Sequence, residues 1–129
     1  MDTPRWLTRA VVTAIHGDQL REHGGLAGLR DDHALEAALA RPKNRWAYGD
    51  SLDLAALAAA YGFGLVSVHA FNDGNKRAAF LAVYTFLGLN GLELDAPEVE
   101  VVSVMLELAA GTIDEDTFAS WVRRRTATV

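Results

Sequence analysis

The chain of 129 residues contains no cysteine. That single absence excludes a disulfide framework, a thiolate zinc site and a cysteine nucleophile together, and it fits a reducing, cytoplasmic setting. Long hydrophobic runs are also missing. The longest stretches without Asp, Glu, Lys, Arg or His are residues 54–68 and 78–92, 15 residues each. A membrane-spanning helix needs about 20, so these two stretches read as buried helices and no membrane partner is expected. The first residues, Met1 to Trp6, lack a basic segment leading into an apolar core, so no secretory leader is read there. Basic excess is absent as well. Twelve Lys and Arg stand against 17 Asp and Glu, a net charge of −5, whereas a dedicated duplex binder is normally basic. No repeat and no low-complexity tract is found. What remains is 50 % hydrophobic and 22 % charged, the composition of a globular protein rather than a disordered one. The length is that of one ordinary domain, expected to span residues 1–129 and to bury roughly 65–70 % of its unfolded surface.

Breaker residues divide the chain into six helical segments. Thr8 is a plausible N-cap for a helix over residues 9–22, with Val11, Val12, Ile15 and Leu20 as apolar positions and Gly24-Gly25 as its stop. Asp31 or Asp32 caps a second helix ending near Ala40, where Pro42 stops it. Residues 41–51 carry turn formers without a clean period and read as a loop or short hairpin. A third helix is expected over 52–69, its apolar positions Leu54, Leu57, Tyr61, Leu65 and Val68 stepping by three or four. Asn72-Asp73-Gly74 breaks it. The fourth begins near Asn75 and ends at Leu89, with Asn90-Gly91 as C-cap and Phe80, Val83, Tyr84 and Leu87 as its stripe. Helices over 97–109 and 114–125 follow, Pro97 standing in the first turn and Gly111 between them. Only residues 92–95 and 43–50 hint at strand. The expected fold is an all-α compact six-helix bundle, with the third and fourth helices as its central hydrophobic pair and a polar loop between them.

Charge is uneven. Residues 78–122 hold eight acidic side chains and no basic one, which reads as a solvated acidic face. Arg41, Lys43, Arg45, Lys76 and Arg77 fall on two expected loops. Convergence of those loops would give a basic pocket suited to a small polyanion such as a nucleotide.

The one dense polar cluster is His69-Ala70-Phe71-Asn72-Asp73-Gly74-Asn75-Lys76-Arg77. His69 titrates near neutrality and can serve as a general base. Asp73 offers oxygen to a hard divalent cation. Gly74 permits a tight turn and close approach of a ligand to backbone. The amides of residues 74–77 start a helix and have no intrahelical acceptor, an anion nest beside the charges of Lys76 and Arg77. A base, a carboxylate, an anion hole and cations within nine residues form a phosphoryl- or nucleotidyl-transfer site. The plainer alternative makes Asn72 or Asp73 a cap for the fourth helix and His69 a satisfied core histidine. That suits a lone histidine better than nine coincident residues. Phe71 reads as core packing, and His16, His23 and His33 as surface or loop residues. There is no glycine-rich phosphate loop, dinucleotide fingerprint or His-Arg-Asp kinase loop.

His69, Phe71, Asp73, Gly74, Asn75, Lys76 and Arg77 together resemble the His-x-Phe-x-Asp/Glu-Gly/Ala-Asn-Gly/Lys-Arg signature of the Fic/Doc family. Gly24-Gly25-Leu26-Ala27-Gly28 is similar to the segment after the first helix of its Doc (death-on-curing) toxins, and residues 38–48 are similar to their flap. The resemblance implies that His69 deprotonates a target hydroxyl and that Asp73 binds Mg²⁺. It also implies that Asn72, Gly74, Asn75, Lys76 and Arg77 form the phosphate-binding set for ATP. Arg41 and Arg45 are then flap contacts to nucleotide or target, or else solvated loop charges. Lys76 stands where most Fic proteins carry glycine and transfer AMP. Doc proteins carry lysine there and pass the γ-phosphate of ATP to a threonine of elongation factor Tu. The family's self-inhibitory Ser/Thr-x-x-x-Glu-Gly/Asn motif is not found, since Leu108 follows Ser103 and Glu107. Control is therefore expected from a separate Phd-like antitoxin. An AMP transferase and a catalytically silent binding module are the alternatives.

Overall fold

The computed structural model describes residues 3–49 and 52–129. Among these are six helices and two short strands. In chain order they are α1 (Arg9–His23), α2 (Asp32–Tyr48), α3 (Leu54–Val68), α4 (Asn75–Leu89), β1 (Leu92–Leu94), α5 (Glu98–Ala110), α6 (Glu115–Arg124) and β2 (Thr126–Thr128). The fold is predominantly α, as the sequence suggests. Thr8, Asp31, Asp53 and Asp114 cap α1, α2, α3 and α6, each side chain accepting a backbone N–H three residues on. Pro97 stands just before α5 as its N-cap residue and not within its first turn.

Helix α3 is the axis of the bundle and packs against α2, α4, α5 and α6. Eleven of its 15 residues are buried, so it is apolar all round, not along a single stripe. Small residues let its neighbours come close. A Cβ on Gly62 would lie 2.8 Å from both the Phe118 ring and Val83, and one on Gly64 would lie 3.4 Å from the Ala38 Cα. Phe118, Val83, Phe86, Leu35 and Tyr61 complete the core around it. The buried Tyr61 hydroxyl accepts the Leu7 N–H at 3.0 Å, which ties the chain before α1 to the axis.

The structure corrects two further expectations. Pro42 does not end α2, and residues 41–48 are neither loop nor hairpin; positions 50 and 51 of that expected loop lie outside the described residues. Proline inside a helix removes one backbone bond and costs about 3 kcal/mol. Here its ring is fully buried, and the turns after it are fastened elsewhere. Arg41 and Arg45 both bind Glu115 on α6, and Trp46 packs against the core. Burial and ion pairing outweigh the local penalty. The second correction concerns strands. Residues 92–94 do form β1, but their partner is Thr126–Thr128, antiparallel, with Leu92 opposite Thr128 and Leu94 opposite Thr126. No strand had been expected at that end. No helix among the described residues is long and apolar enough to cross a membrane.

Candidate active site

The nine-residue cluster links α3 to α4, and its geometry starts at the end of α3. His69 is the C-cap, with φ 50° and ψ 54°, the one non-glycine residue of positive φ among those described. Left-handed backbone is uncommon outside glycine, although histidine is among the residues enriched there. Arg30 supports it from outside the motif. Its Nε donates to the His69 carbonyl at 2.7 Å and its Nη2 to the Val68 carbonyl at 2.9 Å. A cation at the carbonyl end of a helix also complements the helix dipole. Neither ring nitrogen of His69 bonds another group among the described residues, and the side chain lines an open concavity of about 300 Å³ with Arg30, Phe71, Asn72 and Asn75. An imidazole is thus presented on a fixed backbone.

The segment after α1 is zipped onto this loop. The Ala70 carbonyl accepts the Arg30 and Asp31 amides at 2.8 and 3.1 Å, and the Asn72 amide donates to the Gly28 carbonyl at 3.0 Å. The Asn72 side chain donates to the Ala27 carbonyl at 3.1 Å. Within Gly24-Gly25-Leu26-Ala27-Gly28, this contact requires glycine at Gly25 and Gly28. Gly25 has φ 125°, and a Cβ there would lie 2.8 Å from Asp73 Oδ2; one on Gly28, φ 107°, would lie 3.0 Å from Asn72 Nδ2.

Asp73 accepts the Gly74 amide at Oδ1 (2.8 Å) and the Leu26 amide at Oδ2 (3.3 Å). These two bonds, with Lys76 and Arg77 nearby, hold its carboxyl below the ordinary aspartate value. The group is exposed and anionic. Gly74, at φ 74°, is the N-cap of α4, and no side chain caps that helix. The amides of residues 75–77 find no backbone acceptor among the described residues, and the first bond is Ala78 N–H to Gly74 carbonyl at 3.0 Å. An open helix N-terminus with exposed Lys76 and Arg77 on its first turn is an anion site. The Asn75 side chain is committed to the loop: its Oδ1 accepts the Phe71 amide at 3.1 Å and its Nδ2 donates to the Phe71 carbonyl at 3.0 Å.

The structure brings His69, Asn72, Asp73, Gly74, Asn75, Lys76 and Arg77 together and leaves Arg41 and Arg45 out. The latter two stand on α2, not on a flap loop. Arg41 lies 4.9 Å over the Phe63 ring, and both arginines meet the buried Glu115 carboxylate. The expected basic pocket from two converging loops is therefore not formed by these residues. Neither Asn72 nor Asp73 caps α4. The reading of His16 as a surface residue is also overturned. It is 4 % exposed, stacks on Phe71 with ring centroids 3.8 Å apart, and bonds the Asp73 carbonyl through Nε2 at 2.7 Å. Arg30 and His16 are the site residues that sequence reasoning missed. The one available signal for His16 was its place between Val12 and Leu20 on the inward face of α1.

An ionised aspartate, an uncapped helix N-terminus with two cations and a backbone-fixed histidine within nine residues are the groups that phosphoryl or nucleotidyl transfer needs. The chain belongs to the Fic/DOC family, whose model matches residues 6–87. Within that family it is similar to Doc proteins. It is 33 % identical over 121 residues to "Protein kinase doc" of Escherichia phage P1, covering 93 % of this chain and 94 % of that one. It is 41 % identical over 101 residues to "Toxin Doc" of Mycolicibacterium smegmatis, covering 75 % of this chain and 77 % of the other.

Proposed function

We propose that this chain is a Doc-type toxin kinase that transfers the γ-phosphate of ATP to a threonine hydroxyl of elongation factor Tu, blocks translation in the cytoplasm and is neutralised by a Phd-like antitoxin. The observation that carries the kinase reading is Lys76 in an otherwise complete motif, on the first turn of an uncapped α4. A lysine there fills space that glycine leaves for phosphates in the AMP-transferring pose. Similarity over 93 % of this chain to a protein named as a kinase supports the same choice.

In this reading His69 accepts the proton of the target hydroxyl as its oxygen attacks the γ-phosphorus. The bond from that phosphorus to the β,γ-bridging oxygen breaks, and ADP leaves. Arg77, Lys76 and the amides of residues 75–77 hold the phosphates. Asn75 contributes its main-chain N–H, since its side-chain amide already fastens Phe71. The donor set suits Mg²⁺. One anionic carboxylate stands at the site, and no group of three or more acidic or histidine ligands occurs among the described residues. Mg²⁺ is commonly held by one or two carboxylates together with substrate phosphates and water. Bound at Asp73, the ion would neutralise charge on the phosphates.

The test supplies the protein with elongation factor Tu, Mg²⁺ and ATP labelled at the α- or the γ-phosphate, with folded His69→Ala as control. Transfer of γ-label alone, lost in the control, is the expected result. Transfer of α-label would refute the Lys76 argument. No transfer of either label by a folded protein would overturn the kinase reading for this target and favour a binding module.

A further inference from the structure

A buried imidazole beneath the motif loop has no part in the chemistry above. His16 stands on α1, and its ring lies nearly parallel to that of Phe71, 9° between planes. Its Nε2 is 2.7 Å from the Asp73 carbonyl oxygen. A carbonyl only accepts, so Nε2 carries the proton and donates it. The nearest ring atoms are 3.7 Å from where a Cβ on Gly74 would sit, so the ring also forms the floor under the first residue of the α4 cap.

We propose that His16 is a positioning residue that sets the Asp73–Gly74 peptide, and through it both the Asp73 carboxylate and the start of α4. The peptide unit is planar, so fixing its carbonyl oxygen on one side fixes the Gly74 N–H on the other. That N–H is the 2.8 Å donor to Asp73 Oδ1. His16 therefore orients the carboxylate through one rigid plane without touching it. It also keeps α4 from starting one residue earlier. If Asp73 became the N-cap, its carbonyl would accept the Arg77 N–H. With the carbonyl held by His16, helix pairing begins instead at Gly74, and the Arg77 amide has no backbone acceptor among the described residues.

The effect on catalysis rests on the phosphoryl-transfer reading, but the effect on the loop does not, and two variants separate donor from ring. His16→Phe keeps a flat ring against Phe71 and removes the N–H. His16→Gln removes the ring and keeps an amide donor of similar reach. Amide resonances of residues 73–77 are recorded without nucleotide, then Mg²⁺-dependent ATP affinity and the kcat and KM of γ-phosphate transfer are measured. We expect His16→Phe to shift the Gly74 and Arg77 amides and to weaken Mg²⁺–ATP binding about tenfold, the scale of one lost hydrogen bond. We expect His16→Gln to restore most of that affinity. Wild-type resonances and affinity in His16→Phe would overturn the proposal, as would a His16→Gln variant no better than His16→Phe. If His16→Phe does not fold, His16→Asn, whose amide stops short of the carbonyl, takes its place. A wild-type protein that binds no Mg²⁺–ATP would refute the site reading instead, and the resonances alone would then decide the role of His16.

Discussion

Alanine at Gly24 and at Gly25 makes a paired test of why two adjacent glycines follow α1. Both have positive φ, 75° and 125°. An L side chain is strained at either position, by about 1–3 kcal/mol. The surroundings differ. A Cβ on Gly24 meets nothing within 4 Å, whereas one on Gly25 would lie 2.8 Å from Asp73 Oδ2 and 3.1 Å from the Leu20 side chain. Asp73 is exposed and can swing aside, so the clash adds little to the unfolding free energy. Its effect falls on position: the carboxylate must move by some tenths of an ångström and lose the 3.3 Å bond from the Leu26 amide. Misplacing a reacting or binding group by about 1 Å can cost on the order of 100-fold in rate. Gly24→Ala is therefore expected to lose about 1–3 kcal/mol in urea unfolding and to retain its γ-phosphate transfer. Gly25→Ala should lose a similar amount of stability and, in addition, tenfold or more in transfer at limiting Mg²⁺. Equal transfer by the two variants, whether both intact or both impaired, would refute the claim that Gly25 is glycine because Asp73 needs the space.

Three further outcomes follow from contacts away from the loop. Glu115→Ala leaves Arg41 and Arg45 facing a vacated buried position; both arginines are partly exposed, so the loss in urea unfolding should be about 1–3 kcal/mol. Transfer should be unchanged, and lost transfer at undiminished stability would return the two arginines to the site. Asp53 caps α3 and receives two bonds from Arg123, at 2.6 and 2.9 Å, which hold its carboxyl below the ordinary value. Its folded-state pKa being depressed, the stability it adds is complete above the unfolded value of about 4 and is lost as pH falls through the folded value. Asp53→Asn keeps the cap, so its stability deficit at pH 7 should shrink at pH 3; a constant deficit would refute the ion-pair account. Burial pushes the Tyr61 phenol up to about 12. Stability should fall above the unfolded tyrosine value of about 10 as pH rises toward the folded one, with phenolate absorbance appearing only on unfolding. Tyr61→Phe would leave the Leu7 N–H unpaired at a cost of about 1–3 kcal/mol.

Most helix boundaries were legible because local chemistry sets them. Thr8 and Asp31 cap where their side chains reach a free N–H, and Gly74 and Gly111 take the positive φ that ends or starts a helix, whereas α3 starts after its cap Asp53 and not at residue 52. The α2 error has the opposite origin. Pro42 is a correct local signal for a stop, but its buried ring and the Glu115 ion pairs, 74 and 70 residues away in sequence, outweigh it. Strand β2 was invisible for a similar reason: Thr126–Thr128 has no pattern of its own and is a strand only because β1 lies beside it.

The site divides along the same line. Residues whose chemistry faces outward, His69, Asp73, Lys76 and Arg77, stand next to one another in the chain, so their coincidence could be read from nine letters. Residues that shape the loop from below come from α1 and from the turn before α2, and they act across 57 and 39 positions. In the local sequence only the spacing from Val12 and Leu20 separates His16 from a surface histidine, and nothing there shows that Phe71 lies against it. Arg30 likewise reads as one more loop charge until α3 is seen to end at its guanidinium. A motif therefore names the groups able to react, while the geometry in which they react is set by side chains that the motif does not contain. Substitutions at His16 and Arg30 should accordingly alter this site while leaving every motif residue in place.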